Sequence, residues 1–143
     1  IKLNSKNQYI IYPTNTVKDF GGIASEPYMF LDTSICNREL ATNVMGILQK
    51  SKVDVEKPKD LKALKKNYLK SIKVKTMKEL HKDSISVGVL LSDKKLTFSP
   101  TKNMGSRQGF QYSKRLEPVE LSIDSSIGDI SKGLEEAFSR CLQ

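Results

Sequence analysis

The stretch Ile85-Ser86-Val87-Gly88-Val89-Leu90-Leu91 constrains the fold more than any other part of the chain. Ile85, Val87, Val89 and Leu91 alternate with period two, the signature of a strand with one face on a core. Ser92-Asp93-Lys94-Lys95 reads as a turn, and Leu96-Thr97-Phe98 returns antiparallel until Pro100. An antiparallel hairpin therefore sits past the middle of the sequence, and the other elements have to pack around it.

Further strands are expected at Tyr9-Ile10-Ile11-Tyr12, which Pro13 stops or confines to an edge, and at Tyr28-Met29-Phe30-Leu31. Gly21-Gly22 between them marks a loop, and Val119, Leu121 and Ile123 alternate as a last strand. Helical spacing appears at Leu40, Val44, Ile47 and Leu48, and again at Ile130, Leu134, Ala137, Phe138 and Cys141 in a helix from about Ser126. Residues 51 to 59, with Pro58, read as a linker, after which Asp60 is placed to cap a helix. Thr76-Met77-Lys78-Glu79 has the capping-box pattern of a short helix. Residues 101 to 115 read as a polar, glycine-bearing loop. Together these elements predict one α+β domain over residues 1–143, a mainly antiparallel sheet packed by amphipathic helices.

One internal echo accompanies this pattern. Leu31-Asp32-Thr33-Ser34-Ile35 matches Ile123-Asp124-Ser125-Ser126-Ile127 in character, and after a two-residue gap the two helical patterns also align. Duplication produces such an echo, and so does any strand that passes through a turn into a capped helix.

Charge is unevenly placed. Lys57 to Lys82 holds ten lysines against Asp60 and Glu79, which accounts for the whole formal charge of +8 and leaves the remainder neutral. A helix over 60 to 73 sets Lys59, Lys62, Lys66, Lys70 and Lys73 in one stripe, with Leu61, Leu64, Tyr68 and Ile72 on another face. Like charges at i, i+4 oppose their own helix by roughly 0.2–0.5 kcal/mol per pair. Such a stripe is either a solvated face or a docking surface for an acidic partner. Nucleic-acid surfaces mix lysine with arginine and stacking aromatics, and this segment has no arginine and one aromatic, Tyr68. Arg107, Phe110, Tyr112, Lys114 and Arg115 make a better mixture. A lysine-dependent nucleic-acid-binding module is therefore the alternative to a protein-binding one.

No catalytic constellation is apparent. His81 is the single histidine and reads as a surface residue, so paired-histidine chemistry and the commonest zinc sites are excluded. Gly105-Ser106-Arg107-Gln108-Gly109 lacks both the Walker ending and the dinucleotide spacing. No catalytic residue, metal or cofactor is expected. No apolar run approaches the roughly 20 residues of a membrane span, and no export signal is visible, so a cytoplasmic location is expected. In that reducing compartment Cys36 and Cys141 are expected to be free thiols.

The order of motifs in the C-terminal half carries a resemblance. Ser84 to Leu91 is followed by Leu96-Thr97-Phe98-Ser99-Pro100-Thr101, then by Asp124-Ser125-Ser126-Ile127-Gly128, then by Leu134-Glu135-Glu136-Ala137-Phe138-Ser139-Arg140-Cys141. This order resembles the bacterial contact-dependent growth inhibition immunity proteins (CdiI), and Phe30-Leu31-Asp32 and Glu39-Leu40 also fit. The family's histidine and tryptophan after the Pro-Thr pair are absent, because Lys102 to Phe110 stands there, so no role of theirs carries over. The resemblance implies a protein that binds and neutralises the toxic C-terminal domain, often a nuclease, of a CdiA-type effector. Many immunity proteins are acidic. The basic balance here implies a toxin with an acidic surface, or a lysine stripe that faces away from it. On that reading Lys62, Lys66, Lys70 and Lys73, with Arg107, Phe110, Tyr112, Lys114 and Arg115, are the candidate partner-binding residues.

Overall fold

A computed structural model describes residues 1–143. Its centre is the expected hairpin, β6 (Ile85–Ser92) and β7 (Lys95–Asn103). Asp93 and Lys94 both take positive φ, 50° and 61°, the two-residue turn whose twist suits a hairpin. Strand β7 does not stop at Pro100, and the reason lies in the ladder. Val87, opposite Pro100, exchanges its hydrogen bonds with Ile1 on its other side, so the amide that Pro100 lacks faces away from β6. On that outer edge β9 (Val119–Ser122) pairs Lys95 to Phe98 and β8 (Phe110–Tyr112) pairs Thr101 to Asn103. Pro100 falls in the gap between them, where no donor is needed.

The other half of the sheet holds β1 (Lys2–Leu3), β2 (Gln8–Ile11) and β5 (Met29–Asp32), giving the antiparallel order β5-β2-β1-β6-β7 with β8 and β9 outermost. Nothing in the periodicity announces the two-residue β1, yet it joins the halves of the sheet. Gly21-Gly22, expected as a loop, begins β4 (Gly21–Ala24), which pairs with β3 (Thr14–Val17) in a separate hairpin. Gly21 has φ +112°, which permits the tight reversal after Phe20.

Helices α1 (Asn37–Leu48) and α5 (Ile127–Ser139) cover one face of the sheet, and their apolar stripes enclose Ile11, Val87, Leu96 and Phe98. Cys36 occupies the N-cap position of α1 and is exposed, and Cys141 follows α5. On the opposite face, Ile72, which follows α2 (Leu61–Ser71), and Leu80 of α3 (Met77–His81) form a smaller core with Ile10. Asp60 caps α2 by accepting from the amides of Lys62 and Ala63, each at 2.9 Å. Thr76 caps α3 as expected, whereas the Glu79 carboxylate reaches back one residue further, to the Lys75 amide.

The internal echo is structural, and its register differs from the one read in sequence. Ile35 N donates to Asp32 O and Ser125 N to Ser122 O; β5 corresponds to β9 and α1 to α5 with no gap. The neighbouring strands follow, since Thr33 N donates to Asn7 O as Ile123 N does to Lys94 O. The sheet is thus two strand–strand–strand–helix units meeting antiparallel through β1 and β6. The similar Asp-Ser turns misalign the sequences because backbone hydrogen bonding, which side-chain character does not encode, sets the equivalence.

Candidate functional site

The second face of the sheet is only partly covered. Helices α2 and α3 lie over β2 and β5, while β6 beside them is left free of helices, and its Leu90 is 59% exposed. A cleft of about 1180 Å³ opens there between α2, the β3–β4 hairpin and the segment that follows β7.

That segment is not the expected loop. Asn103 ends β7, Gly105–Gln108 form one helical turn, α4, and β8 follows at once. Gly109 takes φ +76° with ψ −158°, a conformation that only glycine adopts freely, and so returns the chain to β7. Asn103 holds the corner. Its Nδ2 donates to the carbonyls of His81 and Ser84 at 2.7 and 2.8 Å, and its Oδ1 accepts from the Gly105 amide at 3.0 Å. That oxygen is also 3.1 Å from His81 Nδ1, so the ring carries its proton on Nδ1 and donates it. His81 is therefore a buried strut, 7% exposed and stacked on Phe110 at 4.4 Å, and not the surface residue that its lysine-rich neighbours suggest. Burial holds its pKa below the usual histidine value, with the Asn103 bond opposing that shift.

Tyr12, Tyr28 and Tyr68 form the aromatic side of the cleft, with ring centroids 5.3 to 6.2 Å apart. The Tyr12 and Tyr68 hydroxyls lie 3.0 Å apart. Burial pushes the Tyr68 pKa up to about 12 and that of Tyr12 well above its ordinary value, so both stay neutral hydrogen-bonding groups. Tyr112, 71% exposed, reaches across Gly88, where a Cβ would lie 2.3 Å from its hydroxyl. Beneath Phe110 lies Lys2, 7% exposed, its Nζ 3.6 Å from the ring centroid.

The expected partner-binding residues divide in two. Arg107, Phe110 and Tyr112 line the cleft, whereas Lys114 and Arg115 sit in the exposed turn beyond β8 and do not. Lys62, Lys66 and Lys70 project from the solvent side of α2, and none of the three salt bridges, Lys6–Glu79, Lys95–Glu120 and Arg140–Glu136, involves them. Lys73 is outside the helix. With φ 58° it is the left-handed residue that ends α2, Val74 N donating to Leu69 O, and its Nζ lies 4.5 Å from the centroid of Phe30. Of the α2 lysines, Lys65 is the one that lines the cleft, one turn from Leu61 and Tyr68 on the apolar side, a spacing the sequence itself contains. No sequence signal marks Lys2. Its environment is assembled from β8 and α3, each far away in the chain.

This arrangement offers aromatic faces, neutral hydroxyls and cations. The chain matches the family of CDI immunity proteins over residues 5–141. No curated protein matches it. Among solved structures, a protein of unknown function from Neisseria meningitidis superposes with a TM-score of 0.81 at 24% identity, covering 98% of this chain and 92% of that one. A chain of the CdiA-CT/CdiI toxin and immunity complex from Yersinia pseudotuberculosis superposes with a TM-score of 0.78 at 19% identity, covering 98% and 94%. At these identities the likeness is one of fold. No helix is long and apolar enough to cross a membrane.

Proposed function

The chain belongs to the CDI immunity protein family, and from that premise we propose that it is a cytoplasmic, non-enzymatic immunity protein. It binds the toxic C-terminal domain of a CdiA-type effector and neutralises it, and the activity blocked is a nuclease. The family match over nearly the whole chain carries this reading. The similarity in fold to a chain of a toxin and immunity complex supports it, and so does the cleft, whose lining offers cations and aromatic side chains to a partner.

Tight neutralisation calls for an interface of about 1,600 Å² in total, larger than the cleft alone provides. The exposed lysines of α2 extend the basic surface beyond its rim. Opposite charge across an interface speeds encounter and filters wrong partners more than it adds affinity. Lys62, Lys66, Lys70 and Lys73 therefore serve to steer an acidic toxin surface, and Arg107, Phe110 and Tyr112 to contact it.

The test begins with the toxin domain encoded immediately upstream of this gene. Co-expression with this chain should rescue cells from that toxin, the two purified proteins should form a stable complex, and nuclease activity should stop at stoichiometric addition. A toxin that kills equally in the presence of this chain would overturn the reading. Affinity for DNA or RNA that disappears when the α2 lysines are reversed, without any toxin binding, would favour the nucleic-acid module instead.

A further inference from the structure

We propose that Lys2 is the receptor for one carboxylate of the toxin, an Asp or Glu side chain that enters the cleft beside Phe110; this rests on the immunity reading above. Lys2 lies on β1 at the junction of the two halves of the sheet, 7% exposed, and lines the cavity. No acidic group lies within ion-pairing distance of its ammonium, and no hydrogen bond engages Nζ. The three salt bridges of the molecule lie elsewhere. The face of Phe110, 3.6 Å away, is what opposes the charge, and it offsets only part of the cost of taking an ammonium out of water.

The surroundings point to an anion from outside. Among the cavity residues Lys2, Lys65 and Arg107 are cationic and Glu26 is the one acid. His81, which faces Lys2 from α3, is held neutral by burial. Burial lowers the Lys2 pKa to about 7, so the free protein holds this amine at the edge of losing its charge. A carboxylate arriving on it restores the full charge and completes a charge-assisted hydrogen bond inside a desolvated interface, where such a bond counts most. The α2 lysines act at a distance through water and set the rate of encounter. Lys2 acts after docking and sets the rate of escape.

The experiment compares the unaltered chain with Lys2→Met against the cognate toxin domain by surface plasmon resonance. The expected result is weakening of roughly thirtyfold or more, carried by faster dissociation, with no drop in the melting temperature of the free chain. Amide replacement of the toxin's exposed carboxylates one at a time should find one whose loss is equally costly to the unaltered chain and costs Lys2→Met nothing further. A measurement without any variant of this chain guards against misfolding. Acetic anhydride should acetylate Lys2 in the free chain, spare it in the complex, and acetylate it again in the complex with toxin lacking that carboxylate. Binding by Lys2→Met equal to the unaltered chain, or no toxin carboxylate coupled to Lys2, overturns the proposal while leaving the immunity reading standing. Failure of the unaltered chain to bind the toxin removes both.

Discussion

Gly88 and Lys2 show how single positions shape the cleft. A methyl group at Gly88 would meet the end of the Tyr112 ring, which is largely solvent-exposed and free to swing, whereas the strand backbone has no need of glycine there. Gly88→Ala is therefore expected to keep the melting temperature within a few degrees while displacing Tyr112 and weakening toxin binding several-fold. Calorimetry and a binding titration check the two halves. Lys2 carries a pH signature. Its pKa of about 7 in the folded state lies below the 10.5 of an unperturbed lysine, so between those values the unfolded chain binds more protons. Stability from this group consequently rises with pH across that window and is lost as pH falls toward 7. Urea titrations from pH 7 to 10 should show the rise in the unaltered chain relative to Lys2→Met; parallel curves for the two would contradict it.

Among the three long helices, α2 is the least anchored. No residue within it is fully buried, and its lysines repel one another along the exposed face, whereas α1 and α5 each contribute several buried residues to the main core. Its N-terminus depends on Asp60, which accepts two backbone amides. Removing such a cap costs about 1 kcal/mol. Asp60→Ala should raise amide exchange within α2 by roughly fivefold, the factor that such a loss implies for local opening, and leave α1 and α5 unchanged. Equal acceleration in all three helices would mean that α2 opens only with the whole protein.

At the scale of the whole molecule, charge and shape are separate. A neutral two-unit sheet carries a basic flank, and reversal of that flank should alter encounter before it alters fit. Changing Lys62, Lys66, Lys70 and Lys73 to glutamate is expected to slow toxin association at least tenfold at low salt and to flatten its salt dependence, with far-ultraviolet circular dichroism unchanged. Stopped-flow association across a salt series checks this, and rates that stay the same would remove the lysines from the interface. The sequence by itself determined the antiparallel hairpin, both amphipathic helices of the main core, the caps at Asp60 and Thr76, and the concentration of charge. Each is a local property, written in the period of apolar residues or in one side chain's reach to a nearby amide. Only the tertiary structure decided that Ile1 to Leu3 join the two halves of the sheet, that Pro100 fits a gap between β9 and β8, and that His81 is a buried strut. It also decided that Lys65 and Lys2, and not Lys62, Lys66, Lys70 and Lys73, face the cleft. Those outcomes depend on which distant segment covers a residue: Phe110 and His81 bury Lys2 from more than half the chain away, a relation that no local periodicity contains.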